Sequence, residues 1–176
     1  MLPDLSETIA LRVAEQIIAL RKPGDVVIVS IHRDPWGYHV PDEQRKFAHT
    51  LIDKAGVSII HGHSSHHPRP IEIYRDSLIL YGCGDFLNDY EGIRGYERYR
   101  DDLVLMYFAD LDRTDGRLQA LNLVSLQIRN FRLSMPTQRD IEWIRETLDR
   151  ECQPFGTRLA QGCEGQLEVT TGDMRR

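Results

Sequence analysis

VSIIHGHSSHHPRPIEIYRDSLILYGCGDFLNDY, residues 57–90, is the stretch on which the reading of this chain turns. Four of the seven histidines, His61, His63, His66 and His67, fall inside one short turn of it. A β-branched run, residues 57–60, leads into the turn; two apolar segments and a Gly-Cys-Gly-Asp-Phe turn follow. A histidine-dense turn at the end of a buried strand is where α/β proteins present metal ligands. A polar surface loop that happens to be rich in histidine is the plain alternative.

Working towards the N-terminus, the pattern repeats. Residues 41–54 carry Phe47, Ala48, Leu51 and Ile52 at helical spacing, a face that Ala55 continues, with Gly56 as the expected stop. Before that helix lies the loop HRDPWGYHVP, residues 32–41, rich in rings and turn formers. It follows DVVIVSI, residues 25–31, whose unbroken apolar run predicts a strand buried on both faces and ending on His32. Asp4 and Glu7 have capping-box spacing and open a first helix with Ile9, Val13, Ile17 and Leu20 on one face. The order is therefore helix, strand, histidine loop, helix, strand, histidine loop. That is a parallel crossover with both histidine clusters at one end.

Towards the C-terminus the pattern changes. Residues 71–74 and 78–81 flank Arg75-Asp76-Ser77 and read as a hairpin. Residues 82–100 read as loop. Residues 103–111 and 118–128 form a longer hairpin around Asp115-Gly116. Thr137 caps a third helix, with Asp140 placed to close a capping box, and two weak strands, 157–160 and 166–170, end the pattern. There is no internal repeat and no dividing linker, so residues 1–176 are expected to form a single domain.

Composition narrows the function classes. At 41% hydrophobic and 28% charged, with net charge −5, the chain reads as globular and offers no field to attract nucleic acid. The N-terminal stretch has acids where a signal peptide needs bases, and no apolar run is long enough to span a bilayer. A cytoplasmic location is the default expectation. The cysteines, Cys83, Cys152 and Cys163, are odd in number and lack C-x-x-C spacing, which argues against a zinc ribbon or a disulfide framework.

Three neutral imidazoles, His32, His63 and His66, with an open further position would suit a catalytic divalent ion, Mn, Fe or Zn. The plain alternative is that one or two of these rings are capping or hydrogen-bonding groups. Asp85, in its glycine turn, is placed to orient a ligating ring and, with His66, to act in catalysis; Asp89 is a weaker candidate, and either could simply be a turn former. Trp36, Tyr38 and Tyr90 could line a pocket, and Arg69 could hold an anionic group. Cys83 reads as a buried, inert thiol. A Ser-His-Asp triad built on Ser64 or Ser65 lacks the G-x-S-x-G elbow.

Taken in order, SIH at 30–32, WGYHVP at 36–41, an amphipathic helix, GHSSHHP at 62–68, IEIY at 71–74 and LILYGCGDFLNDYEGI at 78–93 resemble the bacterial capsule-synthesis CapA family of poly-γ-glutamate biosynthesis proteins. That family looks like the calcineurin-type metallophosphoesterases. The resemblance covers residues 25–107 most closely. It implies an α/β fold, part of a metallophosphoesterase-like αββα sandwich, with a dinuclear metal centre and an anionic, phosphate-type substrate. It matches His32 and His66 to family ligands. Most relatives read Gly-x-His-Pro-His, which puts Ser64 at a ligand position and leaves His63 as the ring that could replace it. Asp85 stands where most relatives have Asn, and His32-Arg33-Asp34 replaces the usual His-Trp-Gly.

The Gly-Asp and Asn-His motifs that open the family are missing before residue 25. The chain is therefore expected to be the C-terminal portion of such a domain, needing a complementing N-terminal half. Two divalent ions ~4 Å apart repel by roughly 17 kcal/mol at an effective dielectric constant of ~20, which a bridging carboxylate offsets and neutral histidines do not. Alone, the chain is expected to hold one metal at most. The alternatives are a non-catalytic polymer-assembly or binding subunit and an inactive fragment.

Overall fold

A computed structural model describes residues 4–32, 36–88, 92–162 and 165–171. Arg33, Asp34, Asp89, Tyr90 and Cys163, singled out above, lie outside these. The fold is α/β, with nine strands in two sheets and three helices among the described residues.

The first helix, α1 (Glu7–Leu20), is capped by Ser6, whose hydroxyl accepts from the Ile9 N–H, and not by Asp4. Asp4 instead accepts from the Ser6 N–H at 2.8 Å, forming the turn before the cap. Strand β1 (Ile28–His32) also differs from expectation. It begins three residues later than residue 25, and its burial alternates, with Ile28 59% exposed. A continuous apolar run reads as two-faced burial, but β1 is the edge of its sheet and only Val29 and Ile31 meet the helices. Helix α2 (Asp42–Ala55) buries the five expected side chains and stops at Gly56. Strand β2 (Ile59–His63) starts and ends later than expected, so that His61 and His63 belong to the strand itself.

Strands β1 and β2 run parallel, in register from Ile28 against Ile59 to His32 against His63, as the crossover predicts. The hairpin β3 (Ile71–Tyr74) and β4 (Ser77–Leu80) completes the sheet in the order β1-β2-β4-β3, with β4 parallel to β2. Its two-residue turn puts Arg75 and Asp76 at positive φ, as a twist-matched hairpin turn requires. Helices α1 and α2 cover one face, packing Ala10, Ala14, Phe47, Leu51 and Ile52 on Ile60 and Ile79. Between them and β3, the buried carboxylate of Glu72 accepts from Arg45 (2.8 Å) and the Tyr81 hydroxyl (2.5 Å), and His49 Nε2 lies 3.0 Å away. Paired in this way, a buried charge is tolerated.

The other face packs on an antiparallel sheet of β5 (Leu103–Leu111), β6 (Leu118–Arg129), β8 (Thr157–Gln161) and β9 (Leu167–Thr171), ordered β5-β6-β9-β8. A short β7 (Arg132–Ser134) pairs with the end of β6 after a turn at Asn130 and Phe131, both at positive φ. Sequence gives β7 no signal: it has three residues, and its turn lacks the usual Asn-Gly pair. Leu78 and Leu80 meet Leu105, Leu121 and Leu123 between the sheets. Helix α3 (Gln138–Cys152) runs along β8, touches β3 and closes that side of the core. On the opposite side, where β1 and β5 are the last strands, the sheets part around a cleft of about 450 Å³.

Helix α3 begins with the expected capping box between Thr137 and Asp140. Asp140 also accepts from Arg100 at 2.9 Å, and Arg100 forks onto Asp102 at 2.7 and 3.0 Å, which ties α3 to the start of β5. The Thr137 hydroxyl, and after it Arg100, hold the Asp140 carboxyl below the usual carboxylate range. Its folded pKa lies below its unfolded one, so this stability is present above about pH 4 and is lost as pH falls through the folded value. The Asp140 contribution, read as the difference in urea midpoint between wild type and Asp140→Asn, should be constant from pH 7 to 5 and shrink in more acidic buffer. Asp140→Asn should lower the pH 7 midpoint and remove part of the acid fall; an unchanged midpoint at pH 7 would contradict the clasp.

Candidate functional site

The site is built by the ends of two neighbouring strands and one turn. Residues His32 and His63 end β1 and β2 in the same register, so their rings leave the same face. They meet edge to face at 5.1 Å. Ser64, at positive φ, lies between them, its Oγ 2.8 Å from His32 Nδ1 and 3.2 Å from His63 Nδ1. With both Nδ1 atoms protonated, the serine oxygen accepts from both rings and each Nε2 carries a lone pair. That is the arrangement a metal-ligating imidazole adopts when its other nitrogen is held by an outer partner.

His66 takes another direction. It too has positive φ, and its Nδ1 lies 3.2 Å from each oxygen of Asp85, which also accepts from Asn88 at 3.1 Å. Trp36 stacks near this ring at 5.6 Å and on Tyr96 at 3.9 Å. The structure thus pairs His32 with His63, and His66 with Asp85. Among the described residues, no three His, Cys, Asp or Glu side chains converge in a way that could hold a metal ion. Two imidazoles fit a divalent ion as half a site; among the described residues a third donor does not join them in such a group.

His61, read from sequence only as a flanking residue, lies two positions before His63 on the same strand face. Its ring stacks near His63 at 5.7 Å and its Nδ1 is 3.1 Å from Ser30 Oγ. Burial, and then His63, pushes its pKa down. The two-residue period of a strand was the signal that could have placed it. His67 is fully buried. Its Nε2 accepts from the Gly37 N–H at 3.0 Å and its Nδ1–H donates to Pro68 O at 2.9 Å. Burial lowers its pKa to about 4, so the ring is a neutral anchor for the Trp36 loop.

Other candidates resolve into structural parts. Arg69 is buried and gives its guanidinium to the carbonyls of Gly37 (2.9 Å), Tyr81 (3.1 Å) and His39, bracing the same loop. Tyr38 contacts His67 and Tyr99. Cys83 lines the cleft, and burial raises its thiol to about 12, so it holds its proton. Ser65 Oγ donates to His67 O at 2.8 Å within the turn.

The turn is held by close backbone contact. Cys83 N–H donates to Gly62 O at 2.9 Å and Arg69 N–H to Gly82 O at 2.8 Å. Gly84, at φ 75°, lies so near the turn that a Cβ there would be 3.0 Å from His67 C and Pro68 N. Gly62, between the two strand histidines, is tighter still. A Cβ would sit 2.6 Å from Leu80 O and 2.8 Å from Tyr81 C and O, all of them backbone atoms. Gly62→Ala should therefore cost about 1–3 kcal/mol in urea unfolding by forcing β2 from β4. A wild-type midpoint would show that the strands are not packed this closely.

Comparison with known proteins adds a second line. The model of a family described as bacterial capsule synthesis protein PGA_cap matches residues 3–90. A probable polyglutamine synthesis accessory protein of Mycobacterium tuberculosis is 48% identical over 158 residues, covering 89% of this chain and 41% of that protein. The PGA biosynthesis protein CapA of Bacillus subtilis is 36% identical over 103 residues, 56% of this chain and 25% of its own. The capsule biosynthesis protein CapA of Bacillus anthracis is 28% identical over 109 residues, 60% and 24%. The chain thus spans less than half the length of these relatives.

Proposed function

The chain belongs to the bacterial capsule synthesis protein family matched over residues 3–90, and from that premise we propose that it serves the making of a capsule or poly-γ-glutamate polymer. In this reading it contributes the histidine side of a metal-dependent site that acts by hydrolysis or transfer on an anionic, phosphate-type centre. The paired sheets are then one part of a metallophosphoesterase-like αββα sandwich. The observation that carries the reading is the pair His32 and His63, in register at adjacent strand ends and sharing Ser64. Open α/β sheets bind ligands at such carboxyl ends.

The roles follow from the geometry. His32 and His63 offer Nε2 donors, Ser64 sets their tautomer, and Asp85 orients His66. A divalent ion, Mn, Fe or Zn, would supply a Lewis acid and a water of lowered pKa. Among the described residues the donors that come together are imidazoles, and in this reading a complementing segment supplies the carboxylate that completes the centre. A second reading, a non-catalytic polymer-assembly or binding subunit, is favoured by the lack of a three-ligand cluster among the described residues. None of the described helices is long and apolar enough to cross a membrane.

Titration of the purified chain with Mn²⁺ or Zn²⁺ separates the two. The metal reading expects one weak site that His63→Ala abolishes. Ser64→Ala, removing only the outer partner, should weaken binding by roughly 10–100-fold. Equal binding by wild type, His63→Ala and Ser64→Ala, or none by any of them, would leave the assembly reading.

A further inference from the structure

The turn between β6 and β7 is built against local preference. Residues 129–132 form a two-residue hairpin turn, with Asn130 at φ 51° and Phe131 at φ 55°. Such turns favour Asn-Gly, because the second central residue must adopt the left-handed region. The β3–β4 turn places Asp76 there, a residue type that enters this region readily, whereas a bulky ring does so as an outlier. Phe131 is nevertheless 58% exposed, so burial of its ring in the core does not offset the conformation. Backbone strain of this kind gathers at functional positions.

Charge at the turn runs against preference too. Arg129 and Arg132 are directly opposed across the two strands, a like-charge pairing that destabilises a hairpin. Among the described residues neither forms a salt bridge, although Arg100, Arg145 and Arg158 all do. Residues 128–139, IRNFRLSMPTQR, carry three arginines and no acid in a chain of net charge −5. Met135, just past β7, is 70% exposed. The tip thus presents apolar side chains among unmatched cations.

The turn also has a place relative to the site. Ile128 and Arg129 share a hollow of about 330 Å³ with Asp85 and Asn88. Acids line it as well, but Asp102 is matched by Arg100, and Asp101 accepts from the Ile93 N–H at 2.7 Å. Leu87, beside Asn88, is 69% exposed.

We propose that the β6–β7 turn is a contact site for an anionic lipid surface. Phe131 and Met135 enter the interfacial layer, and Arg129 and Arg132 meet lipid phosphates with their stems along the acyl boundary. A soluble polyanion would match the arginines and leave Phe131 and Met135 in water; a lipid surface takes both. Contact here seats the hollow at Asp85, and with it the histidine turn, beside the membrane. The proposal needs neither a metal nor a complementing segment.

The test is partition of the purified chain, in EDTA, into vesicles of phosphatidylcholine alone or mixed in equal parts with phosphatidylglycerol. Mixed vesicles should bind it at least about tenfold more tightly, and less so as salt is added. Arg129→Gln combined with Arg132→Gln should weaken binding about thirtyfold, and Phe131→Gly about tenfold. Glycine suits the turn, so Phe131→Gly should keep the circular dichroism of the wild type. Met135→Ser, outside the turn, should also weaken binding and gives a second reading that does not touch the turn backbone. Equal partition into both kinds of vesicle, or none into either, overturns the proposal. So does charge-dependent partition that Phe131→Gly and Met135→Ser leave unchanged. Binding of soluble poly-γ-glutamate that the arginine variant removes, without vesicle binding, assigns the arginines to the polymer and also overturns it.

Discussion

The backbone contact between residues 62–69 and the turn at 82–84 is the constraint on which the site depends. Two main-chain hydrogen bonds, Cys83 to Gly62 and Arg69 to Gly82, fasten the histidine turn to the chain that follows β4. Glycine is needed because the two backbones approach to within the space of a methyl group. With the turn fastened, Ser64 and His66 are held in left-handed conformations that a free loop would visit rarely. Those conformations bring Ser64 between His32 and His63 and turn His66 towards Asp85. Side-chain direction here is a result of backbone packing, and only then of hydrogen bonding.

Much of the frame was legible from sequence, for definable reasons. Helix α2 shows its buried face at helical period, and α3 shows both its period and its capping box, so both could be read locally. The β5–β6 hairpin announced itself through Asp115-Gly116. Strand β1 was misread because a run of apolar residues looks the same whether covered on one face or two, and only neighbours decide. Strand β2 was placed too early because His61, Gly62 and His63 carry little strand preference; pairing with β1 and β4 overrides it. The candidate site was legible as a list of residues and not as an arrangement. Spacing cannot say that His63 turns to Ser64 while His66 turns to Asp85, nor that His67 is consumed at both nitrogens by Gly37 and Pro68.

Family membership and geometry bear on different questions. Membership explains why the histidine turn, the glycine turn and the strand between them occur in this order. The geometry explains how these parts are arranged: two imidazoles sharing one serine, one carboxylate engaged with a third ring, and a tryptophan stacked on that ring. A count of histidines in the motif overstates ligand supply, because the fold spends His67 on holding Trp36 and its loop in place.

That last arrangement gives the molecule an internal optical gauge. Of its two tryptophans, Trp36 lies among Tyr96, His66 and His67, while Trp143 sits on α3 beneath the Arg100 guanidinium, 5.6 Å from its ring centre. One indole is embedded in the loops around the histidines, and the other in the clasp that ties α3 to the second sheet. Replacing either leaves a single tryptophan emitter, so rearrangement at the site and loosening of the frame can be followed as separate tryptophan signals in the two variants.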